Sequence, residues 1–151
     1  SLFVGNSTVT LTGITYVTGN GVINDSNKTF FVNGLLVFDG SFTVNGSNNL
    51  IVVRAPEAGQ PSGLLAKRQI TINGENNTLD VEGLVYSLNS ITFSGTTHVS
   101  IKGALVADGS IALNGNVDVT IEYSSPDVDP VFVPDPPTSP VVEIDHWEES
   151  Y

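Results

Sequence analysis

The stretch "NGLLVFDGSFTVNG" (33–46) recurs with few changes as "KGALVADGSIALNG" (102–115). Between and around these two copies, a shorter phrase repeats in which apolar residues alternate with other residues until a glycine closes the phrase. Alternation with period two indicates β-strands, and recurrence at a fixed interval indicates a repeat architecture. The copies of the phrase, including two looser ones, are "VTLTG" (9–13), "FFVNG" (30–34), "LIVVR" (50–54), "LDVEG" (79–83), "VSIKG" (99–103) and "VTIEY" (119–123).

The copies start 20 or 21 residues apart, except for one interval of 29 residues. The long interval contains the Pro- and Gly-rich stretch "RAPEAGQPS" (54–62), which we interpret as an insertion loop that leaves the coil. Two further phrases keep the same period. One is an apolar pair after the glycine, as in "GLLVF" (34–38), and the other is a third strand, as in "SFTVNG" (41–46). Each unit therefore contains three short strands.

Three strands per repeat predict an all-β fold, a single-stranded parallel β-helix (β-solenoid) of about six coils with about 20 residues each. Each strand would pair in parallel with its equivalent one coil along, about 4.8 Å away. We expect right-handed coiling, because left-handed coils usually keep a strict hexapeptide rhythm and tolerate insertions less well. The alternative is an antiparallel sandwich, in which Asn-Gly pairs would mark hairpins. Hairpins give no reason for three phrases within one period.

Stacking of equivalent strands predicts which side chains meet inside the coil. Apolar residues of each phrase would point inward and lie on their equivalents in the neighbouring coils, because no coil buries its apolar face alone. Asn-Gly and Asp-Gly pairs would lie at corners, where the backbone needs positive φ. The expected inward columns are Ile70, Ile91 and Ile111; Ile72, Phe93 and Leu113; and Leu79, Val99 and Val119.

The pattern divides the chain into three parts. Residues 1–125 form the solenoid, residues 126–140 form a Pro-rich linker that we expect to run extended, and residues 141–151 alternate again. We expect the last part to return as a strand along the flank or the end of the solenoid. Trp147 would cover apolar surface there, because an open terminal coil exposes a sheet edge.

Composition and charge exclude several classes of partner. The 151 residues include 5 Lys and Arg against 16 Asp and Glu, a net charge of −11, so nucleic acid and anionic membranes are not expected partners. The chain has no cysteine, which excludes disulfides and thiolate metal sites. It also has no run of about eighteen apolar residues, so we expect no membrane insertion by this chain.

The order of parts at the end of the chain resembles a known family. Glycine-spaced coils that end in "VTIEYSS" (119–125), a Pro-rich stretch and "VVEIDHWEES" (141–150) are similar to the C-terminal β-solenoid region of PilX-like type IV pilus assembly proteins. The resemblance covers roughly residues 34–149. Members of that family begin with an apolar helix that anchors them in the membrane and then in the pilus, and this chain shows none. A weaker resemblance is to bactofilin-like polymerising solenoids, which carry shorter coils and no Trp-bearing tail.

The resemblance implies an extracellular, non-enzymatic structural and adhesive domain. We expect it to be a subunit or tip component of a type IV pilus-like filament at the cell surface, with other filament subunits as partners, including a helical pilin chain. The first alternative is a self-polymerising solenoid whose coils stack end to end between subunits. The second is a carbohydrate-binding or carbohydrate-cleaving module that contacts surface glycans. Of the aromatic residues, we expect only Tyr86 to face outward on a strand, which leaves little for a glycan groove.

Two sets of residues are candidates for contacts or modification. The insertion loop is the expected recognition element, because loops on a rigid scaffold tolerate sequence change. Its candidate contact residues are Pro56, Glu57 and Gln60, and Trp147 is a fourth in the tail. N-glycosylation sequons are numerous and fit corners rich in Asn, Ser and Thr. The five acceptors are Asn6, Asn24, Asn27, Asn45 and Asn76.

Candidate chemical groups are sparse. His98 and His146 lie in different elements, and we expect both at surface or turn positions rather than in a metal site. Asp127 and Asp129, with Asp135 further on, have a spacing that suits a weak calcium site, but the usual ligand-loop glycine and closing glutamate are absent. The expected role of that stretch is a solvated acidic linker.

Charges on the strands point to a surface role. Glu82, Lys102 and Glu122 fall on one outward column, which predicts a ladder of opposite charges. Catalysis on glycans would need paired carboxylates of different pKa in a groove, and no such pair stands out. We therefore expect no catalytic residue, no metal and no cofactor.

Overall fold

The computed structural model describes residues 8–132, which form ten strands and one helix. No helix among these residues is long and apolar enough to cross a membrane. The elements are β1 (Thr8–Val17), β2 (Gly21–Ile23), β3 (Thr29–Phe38), β4 (Phe42–Val44), β5 (Leu50–Arg54), β6 (Gly63–Ala66), β7 (Ile70–Ile72), β8 (Glu75–Ser87), β9 (Ile91–Ala107), β10 (Ile111–Tyr123) and α1 (Ser125–Phe132).

Every strand pair among these residues is parallel, and the chain forms a β-solenoid of about six turns with a spacing of about 21 residues. The predicted fold is confirmed, and the antiparallel sandwich is excluded. The right-handed sense of the coil stays a prediction. The solenoid has three sides, which follow each other along every turn. The first side is β5 with its equivalents, the second is β6 with its equivalents, and the third comprises β2, β4, β7 and the starts of β9 and β10.

Several strands run through a corner instead of ending there. β3 and β8 each span the first and second sides, and β9 continues from the third side through both others. Glycine permits the bend, since Gly103 has a φ of 146° and lies directly over Gly83. A Cβ on Gly103 would lie 2.0 Å from the Gly83 carbonyl oxygen. Only a residue without a side chain lets the backbones of neighbouring coils come this close at the corner.

The predicted inward columns are confirmed by the register of the strands. Ile91 pairs with Ile70 on one side and Ile111 on the other, and Phe93 lies in the same way between Ile72 and Leu113. On the first side, Val99 lies between Leu79 and Val119. Full burial of each large apolar side chain contributes about 1.5–3 kcal/mol. The largest fully buried side chains are Phe30, Phe38, Phe42, Phe93, Ile23, Leu36, Ile51, Leu64, Ile70, Ile72, Leu79 and Ile91.

The last coil differs from the inner coils because no strand among residues 8–132 covers its outer edge, and the outer edge of β1 is open in the same way. Ile111 and Leu113 are 47% and 54% exposed, whereas Ile91 and Phe93, their neighbours in the previous coil, are fully buried. Ile121 on the first side is 48% exposed. The inward positions of β10 are therefore apolar in sequence but only half covered in the described chain.

The extended path predicted for the start of the Pro-rich segment is wrong, because residues 125–132 form the helix α1. Ser124 and Ser125 lie where the helix begins, and their hydroxyls donate to the carboxylates of Asp127 and Asp129. Asp127 places a negative charge in the first turn, where it interacts favourably with the partial positive charge of the helix N-terminus. α1 packs against β8 and β9 through Val128, which is buried. Residues 133–140 and the predicted strand at 141–151 lie outside the described residues.

Truncation of matched residues in one column tests this packing. We expect Ile91→Ala to lower the free energy of unfolding by about 2–5 kcal/mol, because it opens a cavity between two covering coils. Ile111→Ala removes the same atoms from a half-exposed position and should cost about 1 kcal/mol or less. Urea unfolding of the two variants beside the native chain measures both values. Equal losses would contradict the open last coil.

Candidate interaction surface

Asparagine side chains form a hydrogen-bonded ladder along the corner that follows the third side. Asn45 Nδ2 donates to Asn24 Oδ1 at 3.0 Å, and Asn73 Nδ2 donates to Asn45 Oδ1 at 3.2 Å. Ser94 Oγ then donates to Asn73 Oδ1 at 3.0 Å. Asn45 and Asn73 thus each give an N–H to the preceding coil and accept a hydrogen bond from the following one. We call these four residues the corner ladder.

A second row of asparagines adopts the left-handed conformation at the same corner. Asn27, Asn48 and Asn76 have φ values of 60°, 56° and 55°, which asparagine tolerates better than most residues. Asn76 Nδ2 donates to Asn48 Oδ1 at 3.3 Å. Beneath them, buried Asn77 donates to the carbonyls of Gly46 and Asn73, so its side chain satisfies backbone oxygens where the chain turns.

These ladders distinguish the predicted glycosylation acceptors. Asn24, Asn27, Asn45 and Asn76 are all exposed, and Asn6 lies outside the described residues. The Nδ2 atoms of Asn45 and Asn76 are already donors within the ladders. Within residues 8–132, Nδ2 of Asn24 and of Asn27 makes no side-chain hydrogen bond, since each starts its row. Geometry therefore favours Asn24 and Asn27 as sites with a free amide nitrogen.

The insertion loop lies between β5 and β6 and is fixed at both ends. At its start, Arg54 donates to Asp80 Oδ2 at 2.5 Å and to the Asp80 carbonyl at 3.0 Å, and its Nε lies 3.5 Å from Glu82 Oε1. At its end, Ser62 is buried, and its hydroxyl donates to the Glu82 carbonyl at 2.5 Å. A rigid coil thus anchors both ends of a protruding segment.

The tip of the insertion loop is a compact turn in solvent. Gln60 N donates to the Glu57 carbonyl at 3.1 Å, and Gln60 Nε2 lies 3.3 Å from Glu57 Oε2. Gly59 supplies the positive φ of 81° that closes the turn. Pro56 and Glu57 are exposed and Gln60 is half-buried, so the structure brings these three predicted contact residues together on one turn. Trp147 lies outside the described residues.

The predicted column of opposite charges is aligned, but its ion pairs are different. Lys102 lies between Glu82 and Glu122 in register. Its Nζ instead lies 3.6 Å from Asp127 of α1, while Glu82 faces Arg54. Exposed pairs of this kind contribute about 0–1 kcal/mol each. The column therefore fastens α1 and the insertion loop to the first side.

Tyr16, Asp39 and Lys67 form a polar cluster that joins three successive coils near the corner between the second and third sides. Lys67 Nζ lies 2.5 Å from Asp39 Oδ1. The hydrogen bond from Lys67 and a second one from Tyr16 hold the pKa of Asp39 below its ordinary value. The pKa of Lys67 is raised, first by its hydrogen bond to Asp39 and then by the charge of that carboxylate. Partial loss of water contact and the bond to Asp39 raise the pKa of Tyr16.

The expectation that only Tyr86 faces outward among the aromatic residues is wrong. Tyr16, Phe31 and Tyr123 are 56%, 37% and 72% exposed, and Tyr86 is half-buried. The sequence pattern did not reveal this because apolar residues follow the glycine on both faces of the strand. The alternation in "GITYV" (13–17) therefore does not show which face Tyr16 occupies. Phe31 lies on the first side and Tyr16 on the second, with Tyr86 three coils further along the column of Tyr16. These positions do not form one row that a glycan could follow.

The remaining candidate chemical groups are dispersed. His98 is exposed, with its Nδ1 3.6 Å from Asp118 Oδ2, and His146 lies outside the described residues. Asp127 accepts the Ser124 hydroxyl and Asp129 accepts the Ser125 hydroxyl at α1, while Asp135 lies beyond the described part. Within residues 8–132, no group of three or more His, Asp or Glu side chains is placed to hold a metal ion.

No protein-family model, curated protein or solved structure matches this chain. Assignment of a role therefore depends on the geometry of the solenoid and on the sequence resemblance described above.

The Asp39 cluster predicts a pH dependence. The folded pKa of Asp39 lies below its ordinary value of 3.8, so its contribution to stability is complete above that value. That contribution is lost as pH falls through the lowered folded pKa. For Lys67 the sign is opposite: its contribution is complete below 10.5 and is lost as pH rises through the raised folded pKa.

We expect Asp39→Asn to destabilise the chain at neutral pH, and we expect the difference from the native chain to shrink as the solution is acidified. Urea unfolding at a series of pH values from neutral to strongly acid measures this difference. Asp25→Asn is the control, because Asp25 lies 3.9 Å from Lys28 and is more loosely paired. A difference for Asp39→Asn that stays constant down to the most acid point would contradict the assignment.

Proposed function

We propose that this chain is a non-enzymatic structural and adhesive domain, a subunit or tip component of a type IV pilus-like filament outside the cell. The observation that carries the proposal is the insertion loop, an exposed turn whose two ends are fixed on a stacked coil by Arg54 and Ser62. A rigid scaffold that holds one protruding loop suits contact with a surface or a partner. The resemblance of the chain to PilX-like proteins supports the filament setting.

The coil itself suits a load-bearing role. Its strands run across the solenoid, and their backbone hydrogen bonds run along its length from one coil to the next. The corner ladder adds side-chain bonds in the same direction. Pulling along the solenoid would therefore load many hydrogen bonds in parallel within each coil, and a break must open a whole coil at once.

Labelling at the loop tests the filament setting. The chain has no native cysteine, so Ala58→Cys at the exposed tip provides a single attachment point for maleimide-gold. In cells that produce the full chain, we expect electron microscopy to show gold along or at the tip of surface filaments. Cells with the native, cysteine-free chain are the control for background. Gold confined to the cytoplasm, or spread evenly over a filament-free surface, would overturn the proposal.

A second candidate function is a self-polymerising solenoid, and the open edge of β10 favours it. Ile121 would be covered if β1 of a second copy stacked on β10 of the first. In that register, Asp118 and Glu122 would face Thr8 and Thr12 of the next copy, so no like charges would meet. The pilus reading instead predicts that the purified chain forms no long fibres without a helical partner.

Cysteine cross-linking separates the two candidates. Thr10 and Thr120 occupy the same outward column at opposite ends of the solenoid, five strand steps apart. At about 4.8 Å per step they are about 24 Å apart within one copy, which is too far for a disulfide. If copies stack head to tail, the two positions become neighbours.

End-to-end polymerisation predicts that Thr10→Cys/Thr120→Cys, oxidised as the full chain, gives a ladder of covalent multimers. Thr10→Cys/Ser100→Cys is the matched control, since Ser100 lies one coil inside the edge and about 9.6 Å from the stacked Thr10, again out of reach. Multimers specific to the first pair, together with fibres in electron micrographs, would support the second candidate and defeat the first. Monomers in both samples would reject the second.

A further inference from the structure

The chain contains five Asn-Gly pairs, whose asparagines are Asn20, Asn33, Asn45, Asn73 and Asn114. This dipeptide is chemically labile, because the glycine nitrogen is the least hindered backbone nucleophile and attacks the preceding side-chain amide. The attack requires the asparagine side chain to swing toward the following nitrogen. Hydrogen bonds that hold the side chain or the glycine N–H in place therefore slow it, and each pair's neighbours decide its rate.

Three of the first four pairs are held by hydrogen bonds to adjacent coils, and the glycine of the remaining pair, Asn33-Gly34, is buried. Asn45 and Asn73 use both their Nδ2 and their Oδ1 atoms in the corner ladder. Asn20 Oδ1 accepts the Ser41 N–H at 2.8 Å, and the N–H of Gly21 donates to the Ser41 carbonyl. Asn33 lies inside β3, where the following Gly34 is buried against the Gly13 carbonyl.

Asn114 occupies the next position of the corner ladder, in register with Ser94, but it is not part of that ladder. Asn114 and Gly115 are both exposed. Among residues 8–132, no side chain or backbone group bonds to the Asn114 amide. No described coil follows to restrain it, because β10 is the last strand.

We propose that Asn114 is a site of spontaneous deamidation, and that the corner ladder protects Asn45 and Asn73 from the same reaction. The backbone nitrogen of Gly115 attacks Cγ of Asn114, a C–N bond closes the succinimide ring, and the side-chain nitrogen leaves as ammonia with the proton that the backbone nitrogen releases. Water then opens the ring at either carbonyl. The product is an aspartate or an isoaspartate, and water is the only reactant consumed.

The modification changes the end of the solenoid in two ways. It adds a negative charge at the corner between the third and first sides of the last coil, in a chain that already carries a net charge of −11. In the isoaspartate product, the main chain gains one methylene within β10. Both changes make the open edge a poorer partner for an incoming strand, because register along a strand depends on residue spacing. This inference needs only the ladder geometry and does not depend on the proposed function.

Peptide mass mapping of the full chain, aged in mildly alkaline buffer, tests the proposal. We expect Asn114 to convert at least about tenfold faster than Asn45 or Asn73, a ratio that corresponds to about 1.4 kcal/mol of barrier. In urea, where the ladder is absent, the three sites should convert at similar rates. Ser94→Ala removes the donor to Asn73 Oδ1 and should speed conversion at Asn73 while leaving Asn45 unchanged.

Three results would overturn the proposal. The first is conversion of Asn45 and Asn73 in the folded chain at the rate of Asn114. The second is an Asn114 that persists when folded but converts in urea. The third is a folded Ser94→Ala variant, checked by circular dichroism, in which Asn73 is as stable as before. These results do not depend on the outcomes of the gold-labelling and cross-linking experiments.

Discussion

Parallel, in-register stacking of equivalent residues is the constraint on which the whole structure depends. Each residue has the same position of the repeat above it and below it, so a change at one position is felt by two neighbours. The constraint explains why apolar residues, asparagines and glycines each recur at their own point in the turn. Gly103 directly over Gly83 and Asn73 directly over Asn45 are two consequences of this register.

The constraint fixes the backbone more strictly than it fixes the volume of the core side chains. Phe38 fills the space beside Gly21, where a Cβ would lie 2.1 Å from its ring, and it stacks on Phe42 with ring centroids 4.9 Å apart. The position of Phe38 is occupied by the smaller Ala66 in the next coil and by Ser87 in the coil after that. The Ser87 hydroxyl donates to the Arg68 and Ser90 carbonyls. A large ring in one coil is thus balanced by small residues beside it, which keeps the coils at one spacing.

Much of this architecture follows from the sequence because the repeat fixes contacts between residues far apart in the chain. The period alone was enough to align Ile91 with Ile111 and Val99 with Val119. The two wrong predictions concern positions at which the period gives no information. Composition predicts an extended segment at Pro126, but Ser125–Phe132 is a helix with Asp127 in its first turn, where a negative charge is favourable. The outward direction of Tyr16 was missed because apolar residues lie on both faces of the second side.

The candidate interaction surface was less predictable for a physical reason. The sequence marks the insertion loop by its length and its prolines, yet its anchoring depends on Arg54 reaching Asp80 in the next coil, 26 residues along the chain. Likewise, the five sequons cannot be ranked from their tripeptides. Asn45 differs from Asn24 because Asn45 Nδ2 donates to Asn24 Oδ1, so that of the two only Asn24 keeps an unbonded amide nitrogen among the described residues. Function at such corners depends on which neighbours a side chain has above and below it.

The ends of the solenoid follow from the same stacking. A coil in the middle gains its stability from two neighbours, so the last described coil lacks half of the contacts that its sequence is built to make. That deficit has two consequences at the open edge of β10: Ile111 is exposed, and no described group bonds to the amide of Asn114. At the end of the coil, association with another strand and chemical change of Asn114 therefore compete. A strand added there would suppress the chemical change, because it would cover the apolar side chains and give Asn114 the neighbour that Asn45 and Asn73 already have.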